Sequence, residues 1–294
     1  MGVIYLDQNY ISNVGFHIQS ADAAEERQIA QAVVQKGDHR FAVSAWNMYE
    51  TARAPRPETR EGCIAYVEAV GPRMCANPRS VQVQELVSYL AGRFNPIPYR
   101  IEQPSPFCET PARMWATYGG LDQEASVFVG ETFRDGVEML TQKKYMTHLD
   151  AEIDDGPRAA LVAREAHRDG KIERDTQIID RQWLLTLFPE RNPATGAWID
   201  VRQREAIVDY LMEHMSEAYQ TCPAAHAEEQ TFRQRAASDR KLKRSDGVDV
   251  QFLVLAVAYC DYLVTEDGAL RELIENVVTK VDSRCRVIAR LAEL

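Results

Sequence analysis

The length, composition and charge of the chain are those of a folded globular protein. It has 294 residues, of which 45% are hydrophobic and 27% charged, so a sizeable buried core is expected. The net charge of −10 disfavours a protein that coats nucleic acid through bulk charge, although a local basic groove is compatible with it.

Membrane and disulfide-rich classes are disfavoured by the sequence. The longest apolar run, residues 252–260, is too short to span a bilayer. Near the N-terminus Asp7 interrupts the apolar residues 3–6, so we find no signal-peptide core. The six cysteines are scattered without a C-x-x-C pair, which predicts reduced, mostly buried thiols. We therefore expect a cytoplasmic protein with no membrane partner.

The first 57 residues alternate between predicted strands and predicted helices. Short apolar, β-branched runs predict buried strands at residues 3–6 and 40–43. Segments rich in helix formers predict helices at residues 22–35 and 45–53. Asp7 ends the first strand, Ser44 is the expected N-cap of the second helix, and Glu50 lies two turns into it. Residues 8–12 are predicted as a loop or short helical turn. This alternation favours a parallel sheet.

From residue 58 to about residue 235, helical periodicity dominates the sequence. The predicted helices cover residues 62–70, 81–90, 123–141, 158–167, 174–187 and 201–219. We expect this segment, residues 58–235, to be a mostly α-helical insertion that packs on the rest of the protein.

The last sixty residues return to alternating helices and strands. Asp246 and Asp249 open an apolar helix, and the predicted elements after it are a strand at 262–264, a helix at 268–279 and a strand near 285–288. A basic segment that ends in Lys243 and Arg244 precedes this helix. We therefore predict an α/β protein in which residues 1–57 and 236–294 form one discontinuous core with a central parallel sheet.

Four acids occupy comparable places in this pattern. Asp7 and Asp267 each follow a strand, Glu50 lies on the helix after the second strand, and Asp249 or Asp246 opens a helix. The carboxyl ends of parallel strands meet in one crevice, so these side chains are expected to share a site. Clustered carboxylates repel one another unless a cation compensates, and oxygen ligands alone suit Mg²⁺ or Mn²⁺.

The segments that carry these acids resemble the sequence blocks of PIN-domain nucleases. L-D-Q-N-Y-I-S resembles their first block and V-S-A-W-N-M-Y-E-T-A-R their second; D-G-V-D-V-Q-F-L-V-L-A with Y-L-V-T-E-D resembles the third and fourth. Gln8 stands where threonine is commoner, and the insertion is not a feature of the short toxin-type members. The resemblance implies a PIN-like α/β/α fold of three layers and an endoribonuclease that uses Mg²⁺- or Mn²⁺-activated water.

The resemblance also implies a set of site residues. The expected catalytic and metal-binding residues are Asp7, Glu50, Asp249 and Asp267, with Asp246 as the competing ligand. The expected substrate-binding residues are Asn9, Thr265, Lys243, Arg244 and Arg53. RNA is the expected partner, and DNA, a protein inhibitor of the antitoxin type and a homodimer are compatible with the same resemblance.

Two alternatives belong to other functional classes. The large insertion would suit a PIN-like module that binds nucleic acid or protein and whose cleavage activity is weak or lost. A haloacid-dehalogenase-like phosphatase also has an Asp after its first strand, but that family needs a second acid two residues later, and Asn9 occupies this position.

Overall fold

The structure of the protein is a computed structural model. The structure describes residues 1–17, 20–118, 130–142, 181–191, 196–237 and 246–294, and for residues 236–237 and 246–252 it describes the backbone alone.

The described part of the chain contains one mixed, mostly parallel sheet of six strands. The strands are β1 (Gly2–Leu6), β2 (His39–Val43), β3 (Arg73–Cys75), β4 (Phe107–Cys108), β5 (Tyr262–Val264) and β6 (Arg286–Ile288). Their spatial order is β4-β3-β2-β1-β5-β6, and only the β3–β4 pair is antiparallel. The expected α/β class and central parallel strands are confirmed.

Strand β1 lies at the centre of the sheet and joins the two ends of the chain. It pairs with β2 on one side, with Tyr5 opposite Ala42, and with β5 on the other, with Leu6 opposite Val264. The backbone amide of Asp7 donates to the Val264 carbonyl at 3.0 Å and so extends this second pairing. The strand order reverses between β1 and β5, and in open parallel sheets ligands bind at the carboxyl edge beside such a reversal.

Twelve helices occur in the described residues. They are α1 (Gln8–Phe16), α2 (Ala21–Lys36), α3 (Ala45–Ala52), α4 (Pro57–Val70), α5 (Pro78–Leu90), α6 (Pro111–Ala116), α7 (Phe133–Leu140), α8 (Arg181–Leu187), α9 (Val201–Ala218), α10 (Pro223–Ala237), α11 (Asp246–Tyr259) and α12 (Gly268–Lys280). A short 3₁₀ turn, Leu291–Glu293, follows β6. None of these helices is long and apolar enough to cross a bilayer.

Helices pack on both faces of the sheet because successive strand side chains point to opposite sides. Ile4 and Leu6 of β1 belong to a buried cluster that includes residues of α1, α3 and α4. Tyr5, between them, belongs to a second cluster, together with Leu255 of α11 and Ile274 of α12. The central strand is therefore buried on both sides, which explains its continuous apolar run.

Helix α1 passes unusually close to α4. A Cβ atom added to Gly15 of α1 would lie 2.8 Å from the backbone nitrogen of Cys63. This distance is too short for a real contact, so only glycine fits here without a shift of the backbone. This helix replaces the loop or short turn predicted for residues 8–12. Because it begins directly after Asp7, the close contact with α4 helps to set where that carboxylate lies.

Two strands of residues 58–235 are part of the sheet. Strands β3 and β4 extend it beyond β2, and a third buried cluster joins α5, α8 and α9. The division into a core and an insertion at residues 57 and 236 stays a prediction. The helix predicted at 158–167 lies outside the described residues, and of the helix predicted at 123–141 the structure describes α7.

Helix α10 was not predicted from the sequence, and a buried glutamate fixes its start. Glu85 of α5 accepts hydrogen bonds from the backbone amides of Ala224 and Ala225 at 3.0 and 3.1 Å, and the Tyr259 hydroxyl of α11 also donates to it. Burial raises the pKa of Glu85 to about 7, although these bonds act in the opposite direction. Glu85 thus connects α5, α10 and α11.

Candidate active site

Asp7 and Asp267 meet at the carboxyl edge of the sheet, where the strand order reverses. The Thr265 hydroxyl donates to Asp7 Oδ2 at 2.8 Å and accepts from the Asp267 backbone amide at 3.2 Å. Thr265 itself is fully buried. One hydroxyl therefore links two of the predicted acidic positions, although they lie 260 residues apart in the sequence.

The charge on Asp7 is unfavourable in its surroundings. Burial raises the pKa of the half-buried Asp7 carboxyl, and the neighbouring Asp267 carboxylate adds to the rise. The hydrogen bond from Thr265 and the nearby backbone amides lower the pKa but do not cancel the rise. No basic side chain is among the largest contributions to this balance. A divalent cation would supply the missing positive charge.

Asp267 has a second role as the N-cap of α12. Its Oδ1 atom accepts hydrogen bonds from the backbone amides of Ala269 and Leu270 at 2.9 and 3.0 Å. This is the ordinary way in which an aspartate satisfies the first amides of a helix. Because only Oδ1 makes these bonds, the cap fixes the carboxylate, and its second oxygen makes no hydrogen bond to the described residues.

Glu50 and Arg53 lie on α3, beside the start of α1. Glu50 is half-buried and is one turn from Asn47, whose side chain reaches Gln8 at 3.4 Å; residues three and four apart on a helix share a face. This spacing predicts that Glu50 lies on the side of α3 nearer to β1, but Asp7, Glu50 and Asp267 do not form a group able to hold a metal ion in this structure. The Arg53 guanidinium donates to the Tyr49 hydroxyl at 2.5 Å and lies 5.4 Å from the centre of that ring.

Asp246 and Asp249 both belong to the first turn of α11. The helix leads into β5 through residues 260–261, at the amino edge, and is about 21 Å long at 1.5 Å per residue. Its first turn therefore lies toward the carboxyl edge, which carries Asp7. The side chains of both aspartates lie outside the described part of the structure, as do Lys243 and Arg244, so their predicted roles stay predictions.

A buried polar network that was not predicted from the sequence lies directly beneath Asp7. The Asn47 side chain donates to the Leu6 carbonyl at 3.2 Å and accepts from the Ser44 backbone amide at 2.7 Å. The Tyr5 hydroxyl hydrogen-bonds to the Ser44 hydroxyl at 3.0 Å. All of these side chains are buried. Because Leu6 immediately precedes Asp7, this network fixes the end of β1 against α3.

An open depression of about 300 Å³ borders Asp267. Its lining residues are polar: Asn9, Ser12, Asn13, Glu266 and Asp267. Asn9 is exposed, and the Asn13 side-chain amide donates to the Glu266 carboxylate. The sequence had indicated Asn9 and Asp267. Ser12, Asn13 and Glu266 were missed, although the polar positions following Asp7 at the spacing of one helix face could have indicated the first two.

The described side chains alone do not assemble a full metal site. Among them, no three Asp, Glu, His or Cys side chains form a group able to hold a metal ion, and the side chains of Asp246 and Asp249 lie outside that search. The residues that the structure does describe fit a hard cation in one respect. Asp7 and Asp267 lie close together, both offer oxygen ligands, and no basic side chain is among the largest causes of the Asp7 pKa shift.

Comparisons of the chain with protein-family models, with curated proteins and with solved structures gave no match. The interpretation of the site therefore rests on its geometry and on the sequence resemblance described above.

Proposed function

We propose that the protein is a Mg²⁺- or Mn²⁺-dependent endoribonuclease with a PIN-like arrangement of its core. The observation that carries this proposal is the meeting of Asp7 and Asp267 through the Thr265 hydroxyl, at the reversal point of a mostly parallel sheet. Glu50 and Asp249 complete the acidic set. The position of α3 beside Gln8 and of the first turn of α11 toward the carboxyl edge supports this assignment.

Each described residue has a physical task in this proposal. When bound, a divalent ion would supply activated water and charge stabilisation for phosphodiester hydrolysis. Thr265 orients Asp7, the α12 backbone orients Asp267, and the Asn47–Ser44 pair holds the strand end that precedes Asp7. Asn9 and Asn13 offer amide groups that can hydrogen-bond to a sugar or a phosphate.

Cleavage of a panel of single-stranded and hairpin RNAs, with and without Mn²⁺, tests the proposal. We expect Mn²⁺-dependent cleavage by the wild type, and a loss of 100-fold or more (~3 kcal/mol in the barrier) for Asp7→Asn, Asp249→Asn and Asp267→Asn. Asp209→Asn is the matched control, since Asp209 is an exposed acid on α9 that pairs with Arg181 at 2.8 Å.

The controls separate loss of chemistry from loss of folding. Asp209→Asn should cleave like the wild type, and thermal unfolding should show that each variant is folded. Cleavage that persists in EDTA, or that is equal in the wild type and in Asp7→Asn, would contradict the proposal. Cleavage of single-stranded DNA as fast as RNA would support the proposed metal-dependent hydrolysis but contradict the assignment of RNA as the specific substrate.

A PIN-like binding module with weak or lost cleavage is the second candidate. The observation that favours it is the absence of a three-residue metal-binding group among the described side chains. Calorimetric titration with Mn²⁺ distinguishes the two candidates, because an intact acidic set binds the ion at millimolar concentrations or below. Nucleic-acid binding without detectable Mn²⁺ binding would favour the module.

A further inference from the structure

A large cavity lined by described residues lies at the same edge of the sheet as Asp7 but belongs to another part of the chain. Its volume is about 810 Å³, within the 300–1,000 Å³ typical of ligand pockets. Residues 77–87, mostly on α5, form one wall, and residues 99–102, 116–118 and 187–191 form the others. Helix α5 begins directly after β3, two strands from β1. At about 4.8 Å per strand, the cavity starts roughly 10 Å along the edge from β1.

Three arginines line this cavity in a protein whose net charge is −10. Arg100 pairs with Glu102, the acid of the lining, at 3.0 Å. Arg79 and Arg191 form no salt bridge with any carboxylate that the structure describes, although Arg79 interacts electrostatically with the buried Glu228. The cavity is therefore locally basic, and two of its guanidinium groups can bind an anion without first breaking a salt bridge.

An exposed tryptophan stands next to this basic cavity. The Arg191 guanidinium lies 4.3 Å from the centre of the Trp198 ring, and the two residues pair as an isolated antiparallel bridge. Trp198 is 67% exposed, and Ile101, between two residues of the cavity wall, is 56% exposed. A large aromatic side chain in this position has no part in the core. Its ring face and the stacked guanidinium form the kind of platform on which unpaired bases stack.

We propose that this cavity and Trp198 bind a single-stranded segment of RNA next to the cleavage site. Arg79 and Arg191 contact its phosphates, and Trp198 stacks on a base. This inference rests on the proposed nuclease function, because the cavity matters as a substrate subsite only if the acidic edge cleaves RNA. It assigns the selection of single-stranded substrate to residues 58–235, which separate the two parts of the predicted core.

RNA accounts for the cavity better than an acidic protein partner does. A peptide carboxylate would satisfy the arginines, but it gives no reason for an exposed indole beside them. A nucleotide carries a phosphate and a flat base together, which matches Arg191 and Trp198 in contact. The short path along the sheet edge to Asp7 also allows one strand to reach both places.

Binding without metal tests the inference separately from cleavage. Fluorescence anisotropy is measured in EDTA with short fluorescein-labelled oligouridylate and oligoadenylate, using the full chain. We expect the double variant Arg79→Ala/Arg191→Ala to bind at least tenfold more weakly. The slope of the logarithm of the binding constant against the logarithm of the salt concentration should fall in magnitude by about 1.4, because each of the two lost phosphate contacts contributes ~0.7 on single strands. Trp198→Ala should weaken binding about fivefold or more, and Trp198→Phe by less.

The matched control is Arg284→Ala, which removes one positive charge at the opposite edge of the sheet. Arg284 is 71% exposed and pairs with Asp261 at 3.2 Å, so its loss should leave RNA affinity within about twofold of the wild type. Thermal unfolding of every variant shows whether it is folded.

Each outcome bears on one proposal at a time. Undiminished RNA affinity in the arginine and tryptophan variants overturns the subsite, even if the wild type cleaves RNA. Binding that depends on these residues without any Mn²⁺-dependent cleavage supports the subsite as an RNA site and overturns the nuclease. A labelled oligoglutamate that binds with the same residue dependence and displaces the RNA would assign the cavity to a protein partner and overturn the RNA assignment.

Discussion

Asp7 shows how a candidate site residue opposes the stability of its own fold. Its carboxyl is half-buried, its pKa is raised by burial and by Asp267, and only the Thr265 hydroxyl and backbone amides act in the other direction. For an acid whose pKa is higher in the folded than in the unfolded state, the stabilising contribution is fully present below the unfolded pKa. It is lost as the pH rises through the folded pKa, so at neutral pH the ionised group destabilises the metal-free protein.

The substitution Asp7→Asn should therefore stabilise the metal-free protein at neutral pH while it abolishes cleavage. The amide oxygen can still accept from Thr265, and no charge is buried. We expect a gain of about 1 kcal/mol at pH 7, which shrinks as the pH falls through the raised pKa of Asp7 and is lost below the ordinary pKa of an aspartate. Thermal unfolding in EDTA across this pH range measures it, with Asp209→Asn as the control. A variant less stable than the wild type at pH 7 would show that Asp7 is a structural acid.

At the residue scale, the sequence predicted the polar residues that follow the strands better than the buried polar residues that hold the strand ends in place. Asp7, Thr265 and Asp267 were predicted because each follows an apolar strand. Asn47 was not. Its bond to Ser44 is local and belongs to the cap of α3, but its bond to Leu6 depends on how α3 lies against β1. Such a contact joins residues about 40 positions apart, and no local pattern records it.

At the element scale, the contact between α1 and α4 fixes the direction in which the chain leaves Asp7. Gly15 allows the backbones of the two helices to approach closely. In any other residue at this position, the Cβ atom would lie 2.8 Å from the backbone nitrogen of Cys63. Arg27 of α2 also donates to the Val14 carbonyl at 2.9 Å. Helix α1 is thus held on two sides, and it carries Asn9 and Asn13 toward the depression at Asp267.

The substitution Gly15→Ala should destabilise the protein despite the higher helix propensity of alanine. The clash is with backbone atoms, which cannot rotate away, and overpacking of this kind costs about 1–3 kcal/mol. Gly268→Ala is the matched control, because a Cβ at Gly268 meets no atom within 4 Å; we expect it to be neutral or slightly stabilising. Chemical denaturation measures both. Equal stability of the two variants would show that α1 and α4 can separate without cost.

The elements that were not predicted from the sequence are short or have charged residues on their buried face. Strands β3 and β4 have three and two residues, too few to show alternation. Helix α10 buries Glu228 and Glu229, and its apolar periodicity is weak for that reason. By contrast, β1, β2 and β5 are apolar runs buried on both faces, and all three were predicted within one residue of their observed bounds.

At the scale of the whole molecule, the sheet brings the two ends of the chain into one site. The pairing of β1 with both β2 and β5 places residues from the N-terminus and from beyond residue 260 at a single edge. This much followed from the alternation of strands and helices at both ends. The basic cavity beside it did not, because its walls come from four separate segments that only the tertiary fold brings together.

The central claim is that Asp7 and Asp267 belong to one divalent-metal site completed by Glu50 and Asp249. The most direct measurement is a crystal structure of the full chain with Mn²⁺, with the ion located by its anomalous scattering. The expected result is Mn²⁺ bound by Asp7 and Asp267 oxygens, with the Asp249 side chain turned toward the ion, and no peak in Asp7→Asn crystals. Crystals that contain Mn²⁺ only at other acids, or none at concentrations that support cleavage, would contradict the account.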